Sequence, residues 1–458
     1  MARSADSVNA VIKAYDVRGL VGTQLDEEFV SEAGASFARL MRSEGSKKVV
    51  VGHDMRESSP GLAHAFAEGV LDEGLDVIFI GLASTDQLYF ASGRKECPGA
   101  MFTASHNPAE YNGIKLCRAE AKPVGQESGL ETIAADLIKG VARGTGERGT
   151  YSEEDVLEAY GEYLRGLVDL SEIRRLKVVV DAGNGMGGHT VPAVLTPVPL
   201  EIEPLYFELD GSFPNHEANP LDPKNLVDLQ EKVRGSDADL GLAFDGDADR
   251  CFVVDENGDP VAPSAITALV AGRELAKEPG ATVIYNLITS RAVPEIVNES
   301  GGVAVRTRVG HSFIKAQMAD TGAVFGGEHS AHYYFRDFWS ADSGMLAAMH
   351  VLAALGEQEG PLSELMTQYS RYAASGEINS RLDSADAQEE RADAVVESFS
   401  TRAQSIDRLD GYTVDLGEGA WFNLRASNTE PLLRLNIEAP TQDQVDSIAE
   451  EVLGIVRD

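Results

Sequence analysis

The segment FDGDADR (244–250) sets Asp245, Asp247 and Asp249 at a spacing of two. In an extended strand the outer pair would stand about 13 Å apart, at about 3.3 Å per residue. That is too far to share an ion whose ligand bonds are about 2.1 Å. The segment is therefore expected to bend, with Gly246 supplying the freedom. A curled loop with three carboxylates repels itself unless a cation neutralises it, and all-oxygen ligands suit a hard cation such as Mg²⁺. The same spacing opens an EF-hand calcium loop, and Glu256 falls at that loop's last ligand position. However, Arg250 stands where such a loop needs glycine, and the following CFVV reads as a strand. A solvated acidic turn is the plainer alternative.

The second reactive candidate is a serine. GAMFTASHNP (99–108) ends an apolar run in Thr103, Ala104, Ser105, His106, Asn107 and Pro108. Ser105 could be a nucleophile activated by His106, a turn residue, or a carrier of a phosphoryl group. The G-x-S-x-G elbow of many hydrolases is absent. A phosphoryl group on Ser105 would add roughly −1.5 to −2 charge and strong acceptor oxygens. A metal held by the three aspartates could bridge and polarise that group.

Three further segments offer recognition chemistry. In LRASNTEPLLR (424–434), Arg425, Ser427, Asn428, Thr429 and Arg434 form a donor-rich turn suited to a phosphate dianion, or else an ordinary capped turn. In GGEHSAH (326–332), Glu328 can accept from two adjacent sugar hydroxyls, and Ser330 can give or take one hydrogen bond. His329 and His332 have the spacing of a metal pair but lack a clustered third ligand. In RTRVGHSFIK (306–315), Arg306, Arg308, His311 and Lys315 surround Gly310 at a strand-to-helix junction. An ordinary histidine titrates at about 6.5, so His311 could shuttle a proton.

The elements that must position these residues follow from periodicity. EEFVSEAGASFARLMRSEG places Phe29, Ala33, Phe37 and Leu40 on one helical face. KKVVVGHD, LDVIFIG and GAMFTAS read as strands of a largely parallel α/β layer. The pattern restarts with helix DVLEAYGEYLRGLV and strand LKVVVDAG. A third unit opens on the hairpin CFVVDENGDPV, with its Asn-Gly turn, and continues through alternating helices and strands to AVFGGEHS. Each unit has a strand feeding a helix through a Gly- or Ser-containing loop, a weak internal repeat. From about residue 371 the character is α+β, with antiparallel strands through YTVDLGEGAWFNLRASNTEPLLRLNIEA and a closing amphipathic helix. The expected domains are 1–148, 149–251, 252–368 and 369–458.

The length of 458 residues fits three or four domains, and 43% hydrophobic with 25% charged residues is ordinary for a soluble globular chain. No apolar run reaches the roughly 18 residues of a membrane span. The start, MARSADSVNAVIKAYD, lacks a signal-peptide core, so a cytoplasmic protein is expected. Cys97, Cys117 and Cys251 are scattered, which argues against a disulfide framework or structural zinc. A net charge of −35 disfavours nucleic acid and anionic membranes as partners. An anionic substrate must then be held by a local basic pocket.

TASHNP, DGDADR, GEHSAH and RASNTEP, in that order over nearly the whole chain and with IKAYDVRG near its start, resemble the α-D-phosphohexomutases. The similarity is to the bacterial phosphomannomutase/phosphoglucomutase branch. The resemblance implies three similar α/β domains with mixed sheets and a C-terminal α+β domain around a central cleft. It implies a phosphoserine at Ser105, with Asp245, Asp247 and Asp249 holding Mg²⁺ against its phosphate. Lys115 and Arg18 would steady the transferring group. His106, His311 and His332 join the catalytic set, the proton acceptor being one of Lys115, His311 and His332. Glu328 and Ser330 would read sugar hydroxyls. Arg425, Ser427, Asn428 and Thr429 would hold the phosphate that is not reacting, with Tyr15, Arg250, Arg291, Arg308, Gly310 and Arg434 also binding substrate.

The implied reaction is a reversible 1,6-phosphoryl shift on small hexose phosphates through a hexose 1,6-bisphosphate, by a monomer or homodimer. Many dual-specificity relatives read GEMSGH; the form here, with His329 and Ala331, resembles branches favouring mannose. Phosphoglucosamine mutase is the alternative within the class, and Thr103 and Asn428 point away from it. Outside the class stand a Ser-His hydrolase, which needs an acid partner for His106, and a non-catalytic sugar-phosphate-binding protein.

Overall fold

A computed structural model describes residues 3–144, 146–427 and 432–458. The chain forms two compact units: one comprises the residues up to Val261 together with Ser330–Glu364, the other Ala262–His329 with Leu365–Asp458.

In the first unit the run of valines after Lys48 makes a strand, Lys48–His53, buried through its four central residues and flanked in parallel by Asp76–Leu82 and Gly99–Phe102. Beyond Gly99–Phe102 the pairing turns antiparallel, through Tyr111–Cys117 to Val17–Leu20. Tyr151–Glu153 closes the other edge. Helix Glu27–Ser43 buries Phe29, Ala33 and Phe37. It crosses helix Ser59–Asp72 closely, because a Cβ on Gly69 would lie 2.0 Å from the Ser31 carbonyl. The register matters to the site. Met101 lies opposite Lys115, and Arg18 opposite Gly113. Lys115 and Arg18 therefore share the sheet face that carries Met101, four residues before Ser105.

The second sheet is built on Leu176–Asp181, parallel to Leu200–Leu205 and Leu240–Phe244. The hairpin read as opening a third unit belongs here instead. Cys251–Asp255 pairs antiparallel with Leu240–Phe244, and Pro260–Val261 adds outside it. The physical reason is proximity: loop 245–250 returns the chain directly to the open edge of Leu240–Phe244, with Cys251 opposite Phe244. Helix Gly344–Gly356, almost wholly buried, packs on Cys251–Asp255.

In the second unit Thr282–Asn286 lies parallel between Val303–Thr307 and Phe325–Gly327. Strands Ala373–Arg381, Leu432–Ala439, Ala420–Ala426, Tyr412–Gly417 and Ser405–Asp407 form a wholly antiparallel sheet in that order. Helices Ala385–Phe399 and Gln442–Arg457 close its core, where Phe399 meets Phe422 edge-on at 4.8 Å. The α/β units followed by an antiparallel α+β domain match the expected fold class. No helix among the described residues is long and apolar enough to cross a membrane.

Candidate active site

Ser105 follows strand Gly99–Phe102 and adopts a left-handed conformation, φ 48°. This is a strained choice for a side chain with a Cβ and needs external support. Thr103 Oγ1 accepts from the Ser105 amide at 2.9 Å. The larger support is Arg56, which the sequence analysis did not single out. Its guanidinium, 1% exposed, donates to the carbonyls of Ser105, Asn107, Pro108 and Tyr111 at 2.7–3.0 Å. Buried Asp54 balances its charge at 3.3 Å. Arg56 thus fixes the whole turn from behind. Its signal was the loop HDMRESS after the first valine strand, the same strand-to-helix position that marks the other loops.

The acidic loop does bend, but not where expected. The left-handed residue is Ala248, φ 59°. Gly246 serves a different need, since a Cβ there would lie 2.4 Å from the Ser105 carbonyl oxygen. The serine loop and the acidic loop touch because residue 246 has no side chain. Ser105 Oγ consequently donates to Asp245 Oδ2 at 2.9 Å. Glu256, the residue in the calcium-loop position, instead accepts from the Ser363 amide at 3.1 Å.

Asp245, Asp247 and Asp249 are buried, with one ligand oxygen of each within 4.8 Å of the others. Lys115 Nζ donates to Asp247 at 2.7 Å and to Asp249 at 2.5 Å. Burial alone would lower the lysine pKa, but the two carboxylates outweigh it and raise it well above normal. Arg250 Nε donates to Asp245 at 2.9 Å. Burial pushes the Asp245 carboxyl upward, and this wins over the Arg250 charge. Burial works against Asp247 too, yet Lys115 and the hydroxyls of Thr85 and Ser105 hold its pKa below the usual range. Thr85 also went unnoticed in sequence; its hydroxyl donates to Asp247 Oδ2 at 2.5 Å and its amide to the Asp247 carbonyl at 3.1 Å.

Two carboxylate oxygens, Asp247 Oδ1 and Asp249 Oδ1, are buried with no hydrogen-bond partner among the described residues. Such atoms are costly unless something satisfies them. An all-oxygen triad with two unmet acceptors fits a hard divalent cation. Asp249 also joins His332 and Asp342 within 4.8 Å.

His106 Nδ1 is shared between Ser105 and Arg250. Ser105 Oγ is 3.2 Å from its Nδ1, but Arg250 Nη2 lies closer to the same nitrogen, at 2.7 Å. Arg250 can only donate, so Nδ1 accepts. Burial first, then the charges of Arg250 and Arg18, push the His106 pKa down to about 2. Arg18 bonds Asn107 Oδ1 and Asp16, each at 2.5 Å. Tyr15 is half-buried next to them in sequence. Ser330 Oγ lies 3.0 Å from His332 Nδ1.

In the second unit Glu328, 3% exposed, accepts from Asn286 at 3.1 Å and from the Gly310 amide at 3.3 Å. Gly310, with φ 132°, precedes helix His311–Thr321. The His311 side chain lies outside the description. Arg308 sits over the Phe313 ring at 4.8 Å. Arg291, read as a substrate contact, is engaged in the structure: it pairs with Asp415 at 2.5 Å, and its amide donates to Glu438. Arg425 pairs with Glu377 at 3.1 Å, and Arg434 donates to Ser427 Oγ at 3.3 Å. Asn428 and Thr429 lie outside the described residues.

Fold and site together define a multidomain α/β protein with a buried serine set against a cation-fitting acidic loop. The chain belongs to the phosphoglucomutase/phosphomannomutase family. It matches alpha/beta/alpha domain I at residues 9–141, domain II at 158–258, domain III at 262–372 and the C-terminal domain at 377–455. It is 39% identical to a phosphomannomutase of Vibrio cholerae, covering 93% of this chain and 94% of that one. It is 34% identical to a phosphoglucomutase of Neisseria gonorrhoeae, covering 97% and 96%. A phosphoglucomutase/phosphomannomutase family protein from Burkholderia thailandensis superposes with TM-score 0.89 at 30% identity, over 100% of this chain and 98% of that one.

Proposed function

We propose that the protein is a hexose-phosphate mutase working through a phosphoserine at Ser105. The observation that carries this reading is the Ser105 hydroxyl, 2.9 Å from Asp245 in a buried loop with two carboxylate oxygens that have no partner among the described residues. Ser105 gives its phosphoryl group to the free 1- or 6-hydroxyl of a hexose phosphate. The Oγ–P bond breaks, the new P–O bond forms to the sugar, and the hydroxyl proton leaves. The resulting 1,6-bisphosphate turns around and returns its other phosphoryl group to Ser105. Asp245, Asp247 and Asp249 would hold Mg²⁺, which when bound neutralises charge on the phosphoryl oxygens.

The chain's own residues do the positioning. Arg56 and Gly246 fix the serine turn, and Lys115 and Arg18 offer donors to the moving group. Lys115, kept charged by its acids, suits donation better than proton removal, which leaves His311 and His332 for that task. Glu328 and Ser330 read the sugar hydroxyls. Arg425, Ser427, Asn428 and Thr429, with Arg434, bind the distal phosphate; Tyr15, Arg250, Arg308 and Gly310 complete the contacts. His106, neutral and oriented by Arg250, holds the turn, which argues against a Ser-His hydrolase.

A coupled assay with mannose 1-phosphate, glucose 1-phosphate and glucosamine 1-phosphate, each with Mg²⁺ and a trace of bisphosphate, tests the proposal. Turnover of mannose 1-phosphate, with or without glucose 1-phosphate, supports it. Turnover of glucosamine 1-phosphate alone makes the protein a phosphoglucosamine mutase. No turnover of any of the three, with binding retained, makes it a sugar-phosphate-binding protein.

A further inference from the structure

Arg425 and Arg434 face each other across the hairpin of Ala420–Ala426 and Leu432–Ala439. Like charges directly opposite in an antiparallel pair repel. The structure places one carboxylate against both. Glu377 Oε2 lies 3.1 Å from Arg425 Nη2, and Glu377 Oε1 lies 3.4 Å from Arg434 Nη1. A local irregularity aims it there. The ladder between Ala373–Arg381 and Leu432–Ala439 skips between Ala374 and Glu377, Gly376 takes φ 67°, and Ser375 Oγ accepts from the Ile437 amide at 3.0 Å. Bulges of this kind re-aim a side chain. Glu377 does not saturate Arg425. Arg425 is only 8% exposed, and its Nε has no acceptor among the described residues. A buried guanidinium N–H without an acceptor points to a further anionic or oxygen-bearing ligand.

We propose that Glu377 is an internal stand-in for phosphate: a positioning residue that holds Arg425 and Arg434 together and offsets part of their charge until a substrate phosphate takes its place. This rests on the reading of the arginine hairpin as a phosphate site. The two anions compete, so the carboxylate weakens ground-state binding while keeping the fork assembled. It holds affinity for the distal phosphate down to a level that permits release and rebinding, which a substrate that must turn around requires. Glu377 also lies within electrostatic range of His329, beside the sugar-reading Glu328.

The test uses the full chain with Ser105→Ala, so that no turnover occurs, and titrates glucose 1-phosphate by calorimetry. Glu377→Gln removes the charge and keeps the shape. It is expected to tighten binding about tenfold at low salt, with the gain shrinking toward twofold in about 0.5 M salt. Glu377→Asp, which keeps the charge, is expected to stay near the parent. In the Ser105-containing enzyme, Glu377→Gln is expected to lower KM and kcat together. Unchanged or weaker binding in Glu377→Gln overturns the proposal, because Glu377 would then only brace the arginines. Arg425→Gln separates the two layers. If it leaves glucose 1-phosphate binding intact, the phosphate-site reading itself fails, whatever Glu377 does.

Discussion

The serine–aspartate region and the arginine hairpin both gather charge, yet they hold it differently. Around Ser105 the acids are sealed, with Asp245, Asp247 and Asp249 at 1% exposure or less, and each is tied to a fixed cation or hydroxyl. On the hairpin the ion pairs are partly open, the Glu377 and Arg434 side chains being 29% and 24% exposed. Sealed dipoles cost no reorganisation when charge develops, which is what a group-transfer centre needs. Partly hydrated pairs are weak and exchangeable, which is what a recognition site needs. The division predicts that damage to the first region appears in kcat with affinity little changed, whereas damage to the second always changes affinity.

Ser105→Ala tests this division most severely. Removing the proposed phosphoryl carrier should lower kcat by at least about 10⁴-fold while binding of glucose 1-phosphate changes less than about threefold. Single-turnover transfer from radiolabelled bisphosphate would check it; near-normal turnover would remove Ser105 from the chemistry. A smaller effect is expected from Arg56→Lys. An ammonium cannot reach four carbonyls at once, so the Ser105 turn loses its clamp while the charge stays beside Asp54. We expect kcat to fall about 10- to 100-fold with KM little changed, together with a lower melting temperature. If KM rises and kcat holds, Arg56 belongs to recognition and the division fails.

How much of this was legible in the sequence depended on contiguity. Asp245, Asp247, Asp249 and Ser105 lie in short motifs whose residue types announce their chemistry, and period-two and helical patterns located the layers carrying them. What stayed hidden were residues that act from another loop. Arg56, Thr85 and Glu377 look like ordinary surface residues in a linear reading, and only tertiary folding brings them to the Ser105 carbonyl, Asp247 and Arg425. Arg291 stands in a suggestive loop, and a linear reading does not show that Asp415, far along the chain, pairs with its guanidinium. The misplaced hairpin at 251–261 shows the same limit, because its Asn-Gly turn is evident while the sheet edge it joins is not.

Whether the sealed region is permanently charged turns on Asp86. Asp86 accepts hydrogen bonds from Ser84 at 2.5 Å, Tyr160 at 2.6 Å and Ser343 at 2.8 Å, and adjoins Thr85, which holds Asp247. Those donors favour the carboxylate, but complete burial outweighs them and raises its pKa to about 6. The folded value therefore lies above the unfolded value of roughly 3.9. The folded protein holds a proton that the unfolded chain has lost, so this contribution is full below pH about 4 and disappears as pH rises through about 6. Asp86→Asn removes the titration. Measured by urea unfolding at pH 5 and pH 7.5, the wild-type-minus-variant difference should move by about 1 kcal/mol, the wild type losing ground at the higher pH. A difference that stays flat would mean that Asp86 is ionised throughout. The sealed region would then keep its charges through hydrogen bonding.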